Sequence, residues 1–284
     1  MHTLAKLRTC STALRRSDTC YAARILVNVQ PRHVLCILGN WGSFSDVIDL
    51  LKGDFAEFTF DEEYSQLSPD DRMVTAFEVS QDRLTPTITE TDWQAIEQHQ
   101  AVGYVLSPFL TRGNSEQISG QALQLISELL LTGAVAAKSE SAGLAHGRVH
   151  WIALARDYSE AKANGDLFSA GSQLYTAWVQ RCLQSDDDTT IYSVGMHLLG
   201  HRDIEFAPAT DLREAIRWID LLGYYLLADR PDRPIKDGEG FRLAENGPRR
   251  IIKHVACSRY QNDDFFFNPY GYNRLVDASV STKR

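Results

Sequence analysis

The stretch "HVLCILGNWGSFSDVIDLLKG", residues 33–53, decides how the fold is read. His33–Leu38 is a short apolar run with β-branched members that ends at Gly39, the pattern of a buried strand. After Asn40–Ser43, the residues Phe44, Val47, Ile48 and Leu51 recur at helical spacing, and Gly53 supplies a stop. A strand feeding a helix through a glycine turn points to a layered arrangement of sheet and helices. Gly39 and Gly42 place backbone amides where an anion could be cradled. The turn lacks both the P-loop lysine and the G-x-G-x-x-G spacing, so it reads as a tight connection capped by Ser43 or Ser45.

Working outward, Phe55–Phe60 alternates and predicts a second strand with Phe58 and Phe60 on one face. A helix is expected over Pro69–Ser80 and another, capped by Thr89 or Thr91, through His99. Ala101–Leu106 reads as a strand. Asn114-x-x-Gln117 has the spacing of a capping box for a helix whose face is Ile118, Ala122, Leu125, Ile126, Leu129 and Leu130. Gly133 ends that helix, and Ala134–Lys138 starts the next strand. The second half predicts a helix over His150–Lys162, a strand over Leu174–Leu183, an acidic turn at Asp186–Asp188 and a strand over Ile191–Leu198. Asp211-x-x-Glu214 then caps a long helix, "RPDRPIKDGEG" is loop, and a strand covers Arg250–Val255. The fold class is α+β: a mixed sheet with packed helices, in one large domain with two α/β-like parts. Residues 32–276 form that domain, 1–31 a basic N-terminal extension expected to be poorly ordered, and 277–284 a tail.

Composition narrows the function classes. Across 284 residues, 44% are hydrophobic and 23% charged, which suits a folded core. A net charge of −8 argues against nucleic acid or an anionic membrane as a general partner. No apolar run approaches the roughly 20 residues of a membrane span. Five irregularly spaced cysteines without a C-x-x-C read as reduced thiols, hence a cytoplasmic protein. Within the first thirty residues, five lysines and arginines face only Asp18. This acid-poor segment has the composition of a transit peptide, and an unstructured extension is the favoured alternative.

Two stretches hold candidate chemistry. "SVGMHLLGHRDIE" (193–205) carries His197 and His201 four residues apart. On a strand, Tyr192, Val194, Met196 and Leu198 face a core, and His197 stands beside the small Ser193 and Gly195 on the other face. Two histidines are too few for zinc, which takes three or four converging ligands, so no metal is expected. "KSESAGLAHGRVH" (138–150) follows a strand and precedes a helix, where loop groups can face a common ligand. Glu140, Ser141 and His146 are suited to proton transfer or polar binding, and Gly143 to a turn. The bland reading makes Ser141 or His146 a helix cap and Glu140 a solvated charge. At the C-terminal side, Asn268-Pro-Tyr-Gly271 matches a type I turn inside an aromatic cluster, and Asn268 and Tyr270 are candidate contacts for a ligand or partner. No cofactor-binding loop is recognisable.

"AAKSESAGLAH" (136–146), "YSVGMHLLGHRDIE" (192–205), "DGEGF" (237–241) and "NPYGYNRL" (268–275) together resemble an uncharacterised bacterial family, domain-of-unknown-function family 4261. The resemblance implies a bacterial cytoplasmic setting and brings no established activity. The expected function is binding of a protein partner or small ligand. The alternative is an enzyme using Glu140, His146 and His197 in general acid–base chemistry such as hydrolysis, which requires those three side chains to converge.

Overall fold

Leu35, Cys36, Ile37 and Leu38 are consecutive and fully buried, because strand β1 (Val34–Gly39) is covered on both faces. Leu35 and Ile37 point into the main core, whereas Cys36 and Leu38 pack with Met73, Phe77 and Ile96 on the opposite side. That double burial explains an unbroken apolar run in place of the alternation of a half-exposed strand. The computed structural model describes residues 30–186, 189–229 and 233–278.

β1 is the centre of a five-stranded antiparallel sheet in the order β2-β3-β1-β4-β5, with β2 Thr59–Phe60, β3 Ala101–Leu106, β4 Ala134–Ser139 and β5 Leu144–Ala145. Helices α2 (Arg72–Ser80) and α3 (Glu90–Glu97) supply Met73, Phe77 and Ile96 to one face. Helices α1 (Ser45–Leu51), α4 (Ser115–Leu131) and α5 (Arg148–Ala163) cover the other. All six apolar positions expected on the α4 face are buried. The 55–60 segment is mostly turn: Phe55 and Phe58 both sink into the core, and only Thr59–Phe60 pairs as strand.

A second sheet of six strands has the order β6-β7-β8-β11-β10-β9, with β6 Gln180–Gln184, β7 Ile191–Val194, β8 Asp203–Phe206, β9 Gly240–Arg242, β10 Arg249–Val255 and β11 Tyr272–Asp277. Its neighbours are antiparallel except β8 and β11, which run parallel with Tyr272 opposite Asp203. Helix α6 (Leu167–Trp178) and helix α7 (Leu212–Tyr224), which runs on into a π-helical turn at Tyr225–Asp229, pack beside it. Leu35 and Ile37 from the first sheet share one core with Ile204, Phe206, Ile252 and Leu275 from the second, so the two parts form a single α+β domain.

Several local expectations are corrected. The expected strand over Leu174–Leu183 is the end of α6 followed by β6. Asp166 caps α6 through the Ser169 amide at 3.0 Å, and Leu174, Tyr175 and Trp178 enter the core at helical spacing. Asn114 does not cap α4 with its side chain, because its Oδ1 accepts from the Thr111 backbone and hydroxyl instead. Ser43 and Ser45 bond to each other, and neither is the cap of α1, whose N-cap position is Phe44. The capping box at Thr89, completed by Asp92, is present, as is the Asp211 cap of α7. Residues 1–29, Asp187–Asp188 and 279–284, which carry most of the basic extension, part of the acidic turn and most of the tail, lie outside the described residues.

Candidate functional site

Strand β7 stops at Val194, four residues short of the expected strand over Ile191–Leu198. Gly195 takes a left-handed φ of +119°, where a Cβ would stand 1.9 Å from the Trp178 carbonyl oxygen, so this close approach admits only glycine. Met196–Leu199 then forms a 3₁₀ turn closed by Gly200, also left-handed. The Asp203 carboxylate accepts from the Met196 amide at 3.0 Å and from Ser193 Oγ at 3.4 Å, holding the start of the turn. The alternation that exposes His197 therefore ends at Gly195. His197 faces the interior, is 1% exposed, and makes no close hydrogen bond at either ring nitrogen among the described residues. Its Nδ1 lies 4.0 Å from Asp203 Oδ2. Burial pushes His197 down to about 4, only partly offset by the Phe265 backbone. Burial pushes Asp203 up to about 7 against the hydrogen bonds from Asn268, Met196 and Ser193.

Glu140 sits elsewhere. Its carboxylate pairs with Lys138 Nζ at 3.0 Å. Ser141 Oγ donates to the Arg32 carbonyl at 2.7 Å and accepts from the Val34 amide at 3.0 Å, tying the loop to the start of β1. Neither Ser141 nor His146 caps α5, whose N-cap is Gly147. Gly143 is left-handed, and a Cβ there would meet the Phe266 ring at 2.6 Å. His146 is buried, donates from Nε2 to the Thr176 carbonyl at 3.2 Å, and stands edge-on to Trp151 at 4.6 Å. Burial holds its pKa well below the usual imidazole range, with His150 adding to the effect. From Trp151 a ring column continues to Trp178 at 5.5 Å and on to His33 at 4.4 Å. Burial pushes His33 down to about 3, and repulsion from His197 adds to it. His146 and His197 thus neighbour opposite members of a buried aromatic column, while Glu140 pairs with the buried Lys138. The three side chains have separate surroundings.

The structure brings two other stretches together. Because β8 pairs with β11, the 193–205 stretch meets the Asn268–Gly271 turn. Asn268 Nδ2 donates to the His201 carbonyl at 3.1 Å and to Asp203 Oδ2 at 2.7 Å, and its Oδ1 accepts from the Tyr270 amide. Gly271 N donates to the Asn268 carbonyl, closing the turn. Arg202 Nη1 donates to the Tyr270 carbonyl, and the Arg112 guanidinium lies 4.4 Å over the Tyr270 ring.

Beside this junction is a cleft of about 340 Å³. His201 and Arg202 come from the loop before β8, His254 from β10 and Asn273 from β11; Arg112 and Glu116 come from around the start of α4. Leu199 and the π-helical Leu226 and Leu227 make its apolar floor, and Arg233, Pro234 and Ile235 its rim. A π-helical turn is rare and concentrates at functional sites. His254 and Asn273 are direct partners across β10 and β11, so their side chains emerge on one face. Arg233 is committed to Glu239 in a two-pronged ion pair. Neither Arg112 nor Arg202 pairs with a carboxylate among the described residues. Burial pushes Arg202 down, and the like charge of Arg112 adds to the shift. Burial also lowers His254, with Arg202 next in effect and Asp237 opposing.

Sequence reading passed over Arg112, Arg202, His254 and Asn273 because each comes from a different segment and carries no motif. The usable signal was Arg202 and Asn273 lying inside the two stretches already singled out. Among the described residues, no group of three or more His, Cys, Asp or Glu side chains gathers to hold a metal, and no helix is long and apolar enough to cross a membrane. Comparison with protein-family models, curated proteins and solved structures returned no match.

Proposed function

We propose that the protein binds a small ligand in the cleft between the 3₁₀ turn, the β8–β11 junction and the π-helical turn. One observation carries this reading: the 193–205 and 268–275 stretches converge on a single concave site whose volume, about 340 Å³, falls in the range of small-molecule pockets. Ser141 and Glu140 of the 139–146 loop are spent on holding the fold, and this favours the cleft over that loop as the binding site. The separate surroundings of Glu140, His146 and His197 weigh against the alternative of an acid–base enzyme built on them. Membership of the bacterial family that the motifs resemble, and a cytoplasmic setting, belong to the same proposal.

A thermal-shift survey of small metabolites, run on the wild type and on Ile235→Trp, tests it. Ile235 is half-buried at the rim, so an indole there obstructs the cleft without entering the core; Pro234→Trp serves as a second obstruction. Compounds that raise Tm by 2 °C or more only in the wild type are expected. Equal shifts in all three proteins, or none in any, overturn the proposal.

A further inference from the structure

We propose that the ligand of this cleft carries a phosphoryl group, held by Arg112, Arg202 and His254; this rests on the cleft being a ligand site. Two guanidiniums close enough to repel each other, neither paired with a carboxylate among the described residues, are unusual in a chain of net charge −8. Like charges held together at a cleft raise the local potential and favour an anion between them. Glu116 is the acidic side chain of the lining, and it is engaged in an interaction of its own. Asp237 accepts from the His254 backbone amide at 2.8 Å, and its charge acts on both Arg202 and His254, opposing the lowering of each.

The arrangement of the donors selects the kind of anion. A carboxylate has two coplanar oxygens, which a single arginine fork satisfies. Here the donors come from three separate elements: the loop before α4, the loop before β8, and β10. They converge from several directions, which suits the three tetrahedral oxygens of a phosphoryl group. Its charge of about −1.5 to −2 at neutral pH also matches two guanidiniums. Both arginines are braced by Tyr270, Arg112 on its ring and Arg202 on its carbonyl, so little side-chain freedom is left to lose on binding. Asn273 is 4% exposed and lines the cleft, and its buried Oδ1 has no partner. That oxygen is an acceptor, so it calls for a donor from the ligand, such as the hydroxyl of a monoprotonated phosphoryl group or of the ester portion. Leu199, Leu226 and Leu227 leave an apolar floor for the rest of the molecule, so the fit is to a small phosphomonoester with an apolar portion rather than to phosphate alone.

Isothermal calorimetry at constant ionic strength with phenyl phosphate, inorganic phosphate and benzoate tests the assignment. The expected order is phenyl phosphate first, at least tenfold tighter than benzoate, with inorganic phosphate between them. Arg112→Gln, at an exposed position that does not threaten folding, and Arg202→Gln should each weaken phenyl phosphate tenfold or more. Arg202→Lys, which keeps the charge and loses the fork, should fall between wild type and Arg202→Gln. Arg156→Gln, on the exposed face of α5, should change nothing. Equal binding of phenyl phosphate and benzoate, or indifference to both Arg→Gln changes, overturns the phosphoryl assignment. If that happens while Ile235→Trp still abolishes the thermal shifts of other compounds, the cleft remains a ligand site of different specificity. Loss of both results removes the cleft reading as well.

Discussion

His33, His197 and Asp203 are ionisable side chains placed where water cannot reach them, and their burial has a measurable cost. The two histidines titrate at about 3 and about 4 in the native protein, against 6.5 for the free side chain. As pH falls below 6.5 the unfolded chain takes up protons that the native state refuses, so stability is lost on acidification. Asp203, raised from 3.8 to about 7, acts in the opposite sense: the stability it contributes at low pH is lost as pH rises toward 7. The histidines outnumber it, so a net loss is expected between pH 7 and pH 5, with each histidine worth about 2 kcal/mol. Urea midpoints at the two pH values check this. His197→Leu should make the loss on acidification smaller, and Asp203→Asn should make it larger. The sequence draws attention to His197, but its surroundings depend on Gly195. Alternation stops there because the Trp178 carbonyl, from a helix end seventeen residues earlier, presses against the glycine Cα.

At the scale of elements, legibility followed how self-sufficient each element was. Helix α4 repeats its apolar residues over nearly five turns, and β1 is short, apolar and ended by a glycine. Both are readable without knowing what they touch. Helix α7 announces itself through Asp211, whose carboxylate accepts from the Arg213 and Glu214 amides. Asp211→Ala should cost about 1 kcal/mol by chemical denaturation, and Leu125→Ala, in the α4 core face, roughly 2–5 kcal/mol. The last part of helix α6, from Leu174, reads as strand because Tyr175 and Thr176 are poor helix formers. What holds it helical is tertiary: Gly171 packs so tightly on the π-helical turn that a Cβ would lie 2.4 Å from the Leu227 carbonyl. The cleft was hidden for a related reason. Its lining comes from six segments, and pattern along one segment carries no information about which strands become neighbours.

Across the whole molecule, a buried ion pair ties the second sheet to the helical layer of the first. Arg181 on β6 donates to Asp82, which follows α2, at 2.9 Å, and both side chains are buried. Asp82→Ala leaves Arg181 with Asp220 at 3.6 Å as its remaining carboxylate among the described residues. The change should destabilise by about 3 kcal/mol or more, because a buried charge loses its closest partner. With one core shared by both sheets, calorimetry should show a single transition in wild type and variant alike; two resolved peaks would contradict the shared core. The parallel pairing of β11 with β8 has a consequence for synthesis. During translation, every strand of the first sheet has been made by residue 145. The second sheet stays in two fragments, β6-β7-β8 and β10-β9, until residues 272–277 slide between them. Ribosome-bound chains halted short of residue 272 should leave the second half open to protease, so any capacity to capture a ligand waits until residues 272–277 have emerged.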